Sequence, residues 1–475
     1  MSAYETVIGL EIHVELATES KIFCSCPTTF GAEPNKNTCP ICIGLPGVMP
    51  VLNEEVVNLA VKAGVALNCD INLINKMDRK NYFYPDLPKA YQISQFDLPI
   101  CIGGYVDVDV EGKKTRIGLT RIHIEEDAGK LIHLEEEENT LIDYNRGGVP
   151  LIEIVTDPDI RSAEEAVEFL KTLRAILVYS GISDCRMEQG SMRCDVNISV
   201  REFGSEILNT KVEIKNMNSM KEVHKAIKKE EARQTQLYSY GEGHKVIQET
   251  RRWDAAKGRT ITMRTKEDAQ DYRYFPEPDL PPVIIAKEKV TGITQTLPEL
   301  PAAKKERMME KYGLSLNEIG ILIEEKSVAD FYEAVVHLSG EPKEAANWII
   351  TELLRVLKTE VDIPITAGQL SDLIKEVKKG TISRTAAKEV FEELVTSDKS
   401  VEQIIEEKGL KQISSTNELE GIVESVLRDN PQAVEDYRTG KSQSFGFLMG
   451  QCMKASKGKG NPGVVKSLLE EALGQ

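Results

Sequence analysis

Strict alternation of apolar and polar residues is the feature that most constrains the fold of this chain. In residues 8–16, IGLEIHVEL, apolar side chains occupy the even positions and Gly9, Glu11, His13 and Glu15 the odd ones. Alternation over nine residues predicts a β-strand with one packed and one open face. The pattern recurs in three further segments: RIHIE at 121–125, MRCDVNISVR at 192–201 and KVEIK at 211–215. We therefore predict an antiparallel sheet with one polar face.

Acids, histidine and cations occupy the polar positions of these segments. If the strands are neighbours, one concave surface collects Glu11, His13, Glu125, Asp195 and Glu213. Crowded carboxylates repel one another unless a cation or a proton lies between them. Oxygen ligands with one imidazole suit Mg²⁺ or Mn²⁺, and the neighbouring Lys and Arg side chains suit phosphate oxygens. We interpret the face as a metal–phosphate cradle, and an ordinary solvated face is the alternative for any single strand.

Residues 79–91, RKNYFYPDLPKAY, form a loop that combines cations with aromatic rings. These residues are Lys80, Tyr82, Tyr84, Lys89 and Tyr91. The combination suits a nucleotide or an RNA end, and a proline-stiffened loop with a buried aromatic edge is an equal alternative. A Walker phosphate loop is absent, because the Gly-Lys-Ser at 440–442 has Glu435 where the first glycine is required. Any nucleotide would therefore be held by the face of the sheet.

Two close pairs of cysteines lie near the N-terminus, in the spacings C-x-C and C-x-x-C: Cys24, Cys26, Cys39 and Cys42. This pattern predicts a structural zinc site of the ribbon or knuckle type, with incidental thiols in a turn-rich loop as the alternative. His13 to Glu15 followed by Cys39 to Cys42 also imitates the H-x-E…P-C-x-x-C signature of zinc nucleobase deaminases. That interpretation is disfavoured, because the histidine lies in an alternating strand and no proline precedes Cys39.

The chain changes character near residue 300, and its 475 residues are too many for one core. Before that point it is strand-like, and after it amphipathic helices dominate. The clearest helical segments are 161–179, 343–358 and 385–395, and Asn430-Pro431 and Asn461-Pro462 mark two helix starts. We predict an α+β protein with three domains: a mixed, largely antiparallel-sheet cradle (1–293), an all-α helical domain (294–405) and a small α-helical tail (406–475).

The tail reverses the sign of the chain's charge. The whole chain carries −17, which argues against a surface coated for polyanions, yet residues 437–468 contain no Asp or Glu. Their cations are Arg438, Lys441, Lys454, Lys457, Lys459 and Lys466. Phe445, Leu448, Met449 and Cys452 follow helical spacing. The patch suits contact with a phosphate backbone, with a solvated basic loop as the alternative.

Composition bounds the cellular setting. There is no apolar run of 18 residues, so we expect no membrane association. The N-terminus also lacks the basic residues followed by an apolar stretch that mark a signal peptide, so we expect a cytoplasmic protein. In that reducing compartment the nine cysteines are expected as thiols or metal ligands.

Six motifs are long and unusual: IGLEIHVEL, CPICIGLPGVMPVLN, KNYFYPDLPKAYQISQ, GSMRCDVNISVR, KVEIKNMNS and DYRYFPEPDLPP. They resemble the B-subunit family of the aspartyl/glutamyl-tRNA amidotransferases. The segment NPQAVEDYRTGKSQSFGFLMGQCMKASKGKGNP is similar to the tRNA-binding tail domain of that family. The resemblance runs from near residue 4 to the C-terminus.

The resemblance implies an ATP-dependent carbon–nitrogen ligase that takes its amide nitrogen from glutamine. In a heterotrimer of this kind, the other two members are an amidase and a small third protein that wraps the pair. The B subunit would bind mischarged Glu-tRNA(Gln) or Asp-tRNA(Asn) and phosphorylate the side-chain carboxylate with ATP and Mg²⁺. Ammonia from the amidase, arriving through a tunnel, then displaces phosphate to give Gln-tRNA(Gln) or Asn-tRNA(Asn).

The resemblance also implies roles for individual residues. The Mg²⁺ candidates are Glu11, His13 and Glu125, and the zinc candidates are Cys24, Cys26, Cys39 and Cys42. Candidates for the reacting site are Lys80, Tyr82, Asp195, Arg201, Glu213 and Lys215, and for tRNA binding Arg438, Lys441, Lys454, Lys457 and Lys459. His13 as a base for ammonium is a weaker alternative to metal ligation. A non-catalytic scaffold that presents tRNA to its partners is the alternative function.

Overall fold

The computed structural model describes residues 3–134, 139–265, 271–357, 363–412, 416–456 and 459–474. The chain divides into two compact units, residues 1–303 and 304–475. The first unit is built on a large sheet and the second is helical, which confirms the predicted α+β class. The three-domain boundaries at 293 and 405 stay a prediction. Among the described residues, no helix is both long and apolar enough to cross a membrane.

All the strands among the described residues lie in the first unit. They are β1 (Tyr4–Glu15), β2 (Asp70–Ile71), β3 (Ile74–Asn75), β4 (Asp78–Asn81), β5 (Tyr91–Ser94), β6 (Cys101–Ile102), β7 (Tyr105–Val110), β8 (Lys113–Glu126), β9 (Lys130–His133), β10 (Thr140–Asp143), β11 (Pro150–Thr156), β12 (Met192–Glu202), β13 (Val212–Lys215), β14 (Glu249–Asp254), β15 (Arg259–Thr265), β16 (Phe275–Pro276) and β17 (Val283–Ile284). Its helices are α1 (Glu54–Ala66), α2 (Ala163–Tyr179), α3 (Met220–Ser239) and α4 (Lys287–Gln295).

The central sheet has the strand order β15-β14-β13-β12-β1-β11-β8-β6-β2, and β7 pairs with β8. Within the described part of this sheet, β13–β14 is parallel and the other pairs are antiparallel. All four predicted strands are present. One neighbour relation differs from the simplest expectation, because β11 lies between β1 and β8.

Alternation along β1 produces the two faces of the sheet. Ile8, Leu10, Ile12 and Val14 are buried in the core of the first unit, together with apolar side chains of α2 and α3. Burial of such side chains stabilises the fold by roughly 1.5–3 kcal/mol each. The odd-numbered side chains therefore all point to the opposite, polar face. Packing of the apolar side chains in the core fixes the register of β1, and that register determines which residues of the neighbouring strands lie beside its polar side chains.

Beyond residue 300 the described chain is helical. The helices are α5 (Pro301–Tyr312), α6 (Leu316–Ile323), α7 (Lys326–Ser339), α8 (Pro342–Trp348), α9 (Leu354–Val356), α10 (Ala367–Lys378), α11 (Arg384–Leu394), α12 (Val401–Glu407), α13 (Thr416–Asp429), α14 (Pro431–Arg438), α15 (Gln443–Ala455) and α16 (Pro462–Ala472). Two separate apolar clusters stabilise the second unit, one from Met308 to Ile405 and one from Leu419 to Leu473.

The predicted helices are confirmed with small differences. In segment 161–179 the helix begins at Ala163, after Ser162, whose side chain accepts a hydrogen bond from the Glu165 N–H. Segment 343–358 passes from α8 into α9 through a π-helical turn at Ile349–Leu353, and residue 358 lies outside the described residues. Asn430 and Asn461 both precede a helix with proline in its first turn, as predicted.

Candidate functional site

Two groups of potential metal ligands lie on the polar face of the central sheet. The histidine group consists of His13 on β1, Glu125 on β8 and Glu153 on β11. The acidic group consists of Glu11, Asp195 and Glu213, from β1, β12 and β13. In each group, one ligand atom per residue lies within 4.8 Å of the others. The sheet thus brings together all five carboxylate and imidazole residues that the alternation singled out.

The histidine group is buried and strongly coupled. The His13 Nε2 atom lies 3.4 Å from both Glu125 Oε1 and Glu153 Oε2, and His123 Nε2 lies 3.2 Å from Glu153 Oε2. Burial alone would lower the pKa of His13, but hydrogen bonding to Glu153 and the charge of Glu125 raise it to about 9. Burial would raise the pKa of Glu153, and the two histidines instead hold it well below its ordinary value. The carboxylates therefore favour a positive charge between them.

The acidic group is held in place by neighbouring side chains. Lys215 Nζ lies 2.6 Å from Asp195 Oδ2 and 2.9 Å from Glu213 Oε1. The Asn197 side-chain amide donates to Glu11 Oε1 at 2.9 Å, and the Thr250 hydroxyl donates to Glu213 Oε2 at 2.7 Å. Each carboxylate thus has a defined orientation as well as a defined position.

The pKa values of the acidic group diverge. Burial and the nearby charge of Glu153 raise the pKa of Glu11. Burial would also raise the pKa of Glu213, but Lys215 lowers it. Glu11 therefore lacks the cation that compensates Glu213.

Both groups fit a hard divalent cation by their donor chemistry. The histidine group offers two carboxylates and an imidazole, and the acidic group offers three carboxylates. Mg²⁺ and Mn²⁺ prefer such oxygen-rich sets and usually keep several waters or bind substrate phosphate as well. The three ligand atoms of each group are already close enough for one ion to contact all of them, which supports this fit.

Lys80 and Tyr82 lie beside the histidine group, as predicted. Lys80 is on β4, and burial would lower its pKa, but the charges of Glu125 and Glu153 raise it. Its ammonium lies 4.9 Å from the centre of the Tyr272 ring and forms no ion pair among the residues that the structure describes. Burial raises the pKa of the Tyr82 hydroxyl. Lys80 is thus a cation near carboxylates that forms no ion pair in the described structure.

Arg201 lies apart from these groups. It is six residues beyond Asp195 along β12, a distance of roughly 20 Å in an extended strand. Its Nε atom lies 2.8 Å from Glu5 Oε1. A role for Arg201 in the reaction therefore stays a prediction.

Glu153 is the site residue that sequence reasoning missed. It lies in PLIEIVT, where a buried apolar run hides the alternation that marked the other strands. The sequence does contain one indication of its role: Glu153 is the single acid in an apolar strand, and a carboxylate is rarely buried without a partner. His123, Asn197 and Arg193 occupy polar positions of the alternating segments, and only the register reveals what they contact.

The four N-terminal cysteines form a third group. One sulfur atom from each of Cys24, Cys26, Cys39 and Cys42 lies within 4.8 Å of the others. Four sulfurs at the usual Zn–S distance of about 2.3 Å would be roughly 3.8 Å apart in a tetrahedron, so the group fits zinc. The Cys39 N–H donates to the Cys42 sulfur at 3.1 Å. A hydrogen bond from Cys24 and the charge of Lys21 lower the pKa of the Cys42 thiol. The same hydrogen bond and burial raise the pKa of Cys24, and burial raises that of Cys26, so without a cation Cys42 is the thiol of these three that most readily ionises.

Lys21 is fully buried beside these cysteines. Its ammonium donates to the carbonyl oxygens of Asn37 and Tyr144, at 2.8 and 3.2 Å. A cavity of about 250 Å³ adjoins the group and is also lined by the ion pair of Lys89 with Glu126. Lys21 thus ties the cysteine loop to the rest of the first unit.

The tail exposes part of its predicted basic patch. Arg438, Lys454 and Lys459 are exposed, and none has an ion pair within the described part of the tail. Lys441 instead lies 3.0 Å from Asp436, just outside the acid-free run. Lys457 lies outside the described residues. Leu448 and Cys452 are buried, with Phe445 and Met449 packed beside them, as the helical spacing predicted.

Comparisons with known proteins agree along the whole chain. A family model described as the GatB/GatE catalytic domain matches residues 6–291, and one described as the GatB domain matches residues 330–473. The chain is 59% identical to one of the aspartyl/glutamyl-tRNA(Asn/Gln) amidotransferase B subunits of Clostridium acetobutylicum, the one numbered 2, over the full length of both. It is 60% identical to the B subunit of Clostridium beijerinckii and 53% identical to that of Caldicellulosiruptor saccharolyticus, each over 99% of both chains.

Proposed function

The chain belongs to the family of aspartyl/glutamyl-tRNA(Asn/Gln) amidotransferase B subunits, and on that premise we propose that it activates the side-chain carboxylate of mischarged tRNA. The supporting observation is that the histidine group and the acidic group lie on one face of the sheet. Beside them is Lys80, which has no ion pair in the described structure. A surface that only presents tRNA has no need of convergent buried acids. The proposed substrates are ATP and Glu-tRNA(Gln) or Asp-tRNA(Asn).

A carboxylate is a poor acyl donor, which explains why ATP is required. In the proposed first step, the side-chain carboxylate oxygen attacks the γ-phosphorus of ATP, and the bond to ADP breaks. In the second step, ammonia attacks the acyl carbon of the resulting acyl phosphate, and inorganic phosphate leaves. The nitrogen loses a proton to solvent or phosphate, and the product is Gln-tRNA(Gln) or Asn-tRNA(Asn).

Bringing a carboxylate to a triphosphate brings anion to anion, and this chain's cations offset that repulsion. Lys80 would contact the transferring phosphate, and its lack of an ion pair in the described structure supports this role. Lys215 has a different role, because it spans Asp195 and Glu213 and so holds the acidic group together. Tyr82 lies on the Lys80 side of the site and helps exclude water there.

Mg²⁺, which the histidine and acidic groups would hold, supplies charge neutralisation at the phosphate oxygens and orients them when bound. His13 would serve as a ligand through its imidazole, and Glu153 joins Glu11 and Glu125 in the proposed set. Zinc at the four cysteines would be structural, since four thiolates leave no open position.

The partner amidase would supply ammonia from glutamine, and the small third protein would complete the heterotrimer. The tail would contact the tRNA backbone through Arg438, Lys454 and Lys459, with Lys441 and Lys457 as further candidates. Because mischarged tRNA is the substrate, we place the chain in the cytoplasm.

Single-turnover amidation of Glu-tRNA(Gln) with ATP and Mg²⁺ tests the proposal. Ammonium chloride replaces glutamine, so that the amidase reaction is bypassed in the assembled complex. We expect Glu153→Gln and Glu125→Gln to slow amide formation by at least ~100-fold, as loss of a charged active-site group usually does. Glu164→Gln is the matched control, since Glu164 lies half-exposed on α2 and pairs with His224.

The outcomes separate the two functions. If both site variants amidate at the wild-type rate, the carboxylate face has no part in activation and the scaffold alternative is favoured. The same assay without the amidase would show whether this chain holds the whole activation site.

A further inference from the structure

A network of charged and hydroxyl side chains lies on the rear face of the central sheet, the face that packs against α3. Glu230 on α3 is fully buried and is the centre of this network. Its carboxylate accepts hydrogen bonds from Arg233 at 2.6 Å, from Gln234 at 3.0 Å and from the Thr260 hydroxyl at 2.8 Å. Since Thr260 is on β15, these bonds join α3 to the sheet. We call the whole set the rear network: Glu230, Arg233, Gln234, Glu249, Arg251 and Thr260.

Arg251 brings β14 into the rear network. Its Nε atom lies 3.5 Å from Glu230 Oε2 and donates to the Thr260 hydroxyl at 3.0 Å. Its Nη1 atom donates to Glu249 Oε1 at 2.6 Å. A buried ionic network is weak evidence for stability, because the cost of removing its charges from water offsets most of their attraction. Its directional bonds instead hold β14 at a defined position relative to α3.

The connection between β13 and β14 explains why β14 needs such a tether. The two strands pair in parallel, and the chain between Lys215 and Glu249 runs through α3. A tight turn cannot join parallel strands, so no hairpin sets the register of this pair. A slip by one residue would move every side chain of β14 to the opposite face of the sheet. The contacts of Arg251 with α3 and β15 oppose such a slip.

Thr250, the residue beside Arg251, faces the other way and contacts the acidic group. Its hydroxyl donates to Glu213 Oε2 at 2.7 Å. Neighbouring residues of a strand point to opposite faces, so a fixed Arg251 on the rear face places Thr250 on the polar face. The pairing of β14 with β15 also shifts register between these two residues. Such bulges commonly redirect a side chain beside an active site.

We propose that Thr250 is a positioning residue for Glu213, and that the rear network holds Thr250 in place from the opposite face of the sheet. This inference rests on the proposed function, which assigns Glu213 to a group that holds Mg²⁺. The Thr250 hydroxyl binds one oxygen of the Glu213 carboxylate, and Lys215 lies 2.9 Å from the other. Each oxygen keeps a lone pair for a metal ion, and the carboxylate keeps one orientation. Outer hydrogen bonds of this kind strengthen metal binding.

The test measures Mn²⁺ binding to the assembled complex by electron paramagnetic resonance, without ATP or tRNA. Thr250→Val removes the hydroxyl and keeps the shape of the side chain, and Thr250→Ser restores the hydroxyl. Thr260→Val removes the hydroxyl that links Glu230 to Arg251.

Thr6→Val is the matched control. Thr6 is a buried threonine on β1, and its hydroxyl donates to Glu231, another α3 carboxylate, at 2.8 Å. This variant therefore loses the same kind of strand-to-helix bond without affecting β14.

We expect Thr250→Val to weaken the binding of one Mn²⁺ ion by roughly 10-fold, as loss of a hydrogen bond to a metal ligand usually does. Thr250→Ser and Thr6→Val should bind Mn²⁺ as wild type does. Thr260→Val should shift the same constant in the same direction by a smaller factor, because the rest of the rear network remains. The ion at the histidine group is an internal reference, since its affinity should not change.

Single-turnover amidation at varied Mg²⁺ concentration gives a second readout. If Glu213 is misplaced in Thr250→Val, the Mg²⁺ concentration for half-maximal rate should rise, and saturating Mg²⁺ should restore most of the rate. A variant that is merely less well folded would lose maximal rate at every Mg²⁺ concentration instead.

Three results would overturn the positioning role of Thr250: Mn²⁺ binding in Thr250→Val equal to that of wild type, a loss that Thr250→Ser does not restore, or a wild-type complex that binds no Mn²⁺. Unchanged binding in Thr260→Val alone would overturn the role of the rear network. If the Mn²⁺ constants shift as expected but wild type forms no amide, the proposed function fails and the positioning of Glu213 stands.

Discussion

A buried ion pair joins Arg79 on β4 to Glu277, the residue directly after β16. Removing the charge of Glu277 should loosen both strands. The guanidinium contacts the carboxylate through two nitrogens, at 2.5 and 2.8 Å, and lies 4.2 Å from the centre of the Tyr91 ring. The Glu277 side chain is fully buried. In Glu277→Gln, Arg79 remains charged, but its partner is then a neutral amide with only one acceptor oxygen.

The size of the effect follows from burial. Breaking a fully buried pair by removing one charge typically costs about 3–5 kcal/mol. Here the guanidinium is 20% exposed and retains Asp279 at 3.5 Å, so we expect a smaller cost. A value of about 2–3 kcal/mol corresponds to roughly 30- to 150-fold in the local opening equilibrium.

Amide hydrogen exchange is the suitable assay, because two compact units make global unfolding a poor two-state transition. In Glu277→Gln, the amide protons of peptides that cover β4 and β16 should exchange roughly 30- to 150-fold faster than in wild type. The matched control is Asp107→Asn on β7, whose carboxylate receives two hydrogen bonds from Arg116 at 2.8 and 2.9 Å but lies at the surface. Exposed pairs of the same geometry contribute little.

Equal exchange in the two variants would refute the argument, because it would mean that burial does not set the strength of these pairs. A second variant separates charge from packing. Replacing both partners, Arg79→Met with Glu277→Leu, should exchange more slowly than Glu277→Gln, since it leaves no uncompensated buried charge.

Three further predictions concern other parts of the chain. The purified chain should contain about one zinc ion, and Cys39→Ser should lose it and lower the melting temperature; metal analysis that finds none in wild type would contradict the assignment. Arg307 holds the pKa of Glu333 at about 2 against an ordinary 4.5, so this carboxylate stabilises the helical unit above pH 4.5 and the effect is lost as pH falls towards 2. Thermal melts of Glu333→Gln should therefore differ from wild type at pH 7 and converge near pH 2. In the tail, Lys454→Gln and Lys459→Gln should each lower the salt dependence of tRNA affinity by roughly one unit of slope; an unchanged slope would exclude these lysines from the interface.

Local patterns were sufficient to predict the elements of the site. Alternation identified β1, β12 and β13 and the face on which Glu11, Asp195 and Glu213 lie, because side-chain direction in a strand depends only on parity. Capping and helical spacing likewise identified α2, α11 and α15. What these patterns do not contain is strand order, which arises from contacts between residues far apart in the chain.

The order of the strands in the sheet determines which polar side chains lie next to one another. β11 lies between β1 and β8 and places Glu153 opposite both His13 and His123. The predicted single cradle consists of two groups on either side of β1: the histidine group with β11 and β8, and the acidic group with β12 and β13. The Lys80 ammonium lies 4.9 Å from the centre of the Tyr272 ring, and the Asn81 side chain donates hydrogen bonds to the carbonyls of Tyr272 and Arg273, which are far away in the sequence. None of these pairings has a local signature.

Glu153 shows what physical reasoning could still have extracted from the sequence. An isolated acid in an apolar strand must find a cation, a proton or a metal, because a buried carboxylate without one is too costly. The chain has six histidines, and two of them stand on the polar faces of strands already assigned to the same sheet. Pairing this acid with the imidazoles of His13 and His123 predicts the order β1-β11-β8, in which β11 lies between the histidines. The energetic demand of a single buried charge thus constrains topology where hydrophobic pattern alone does not.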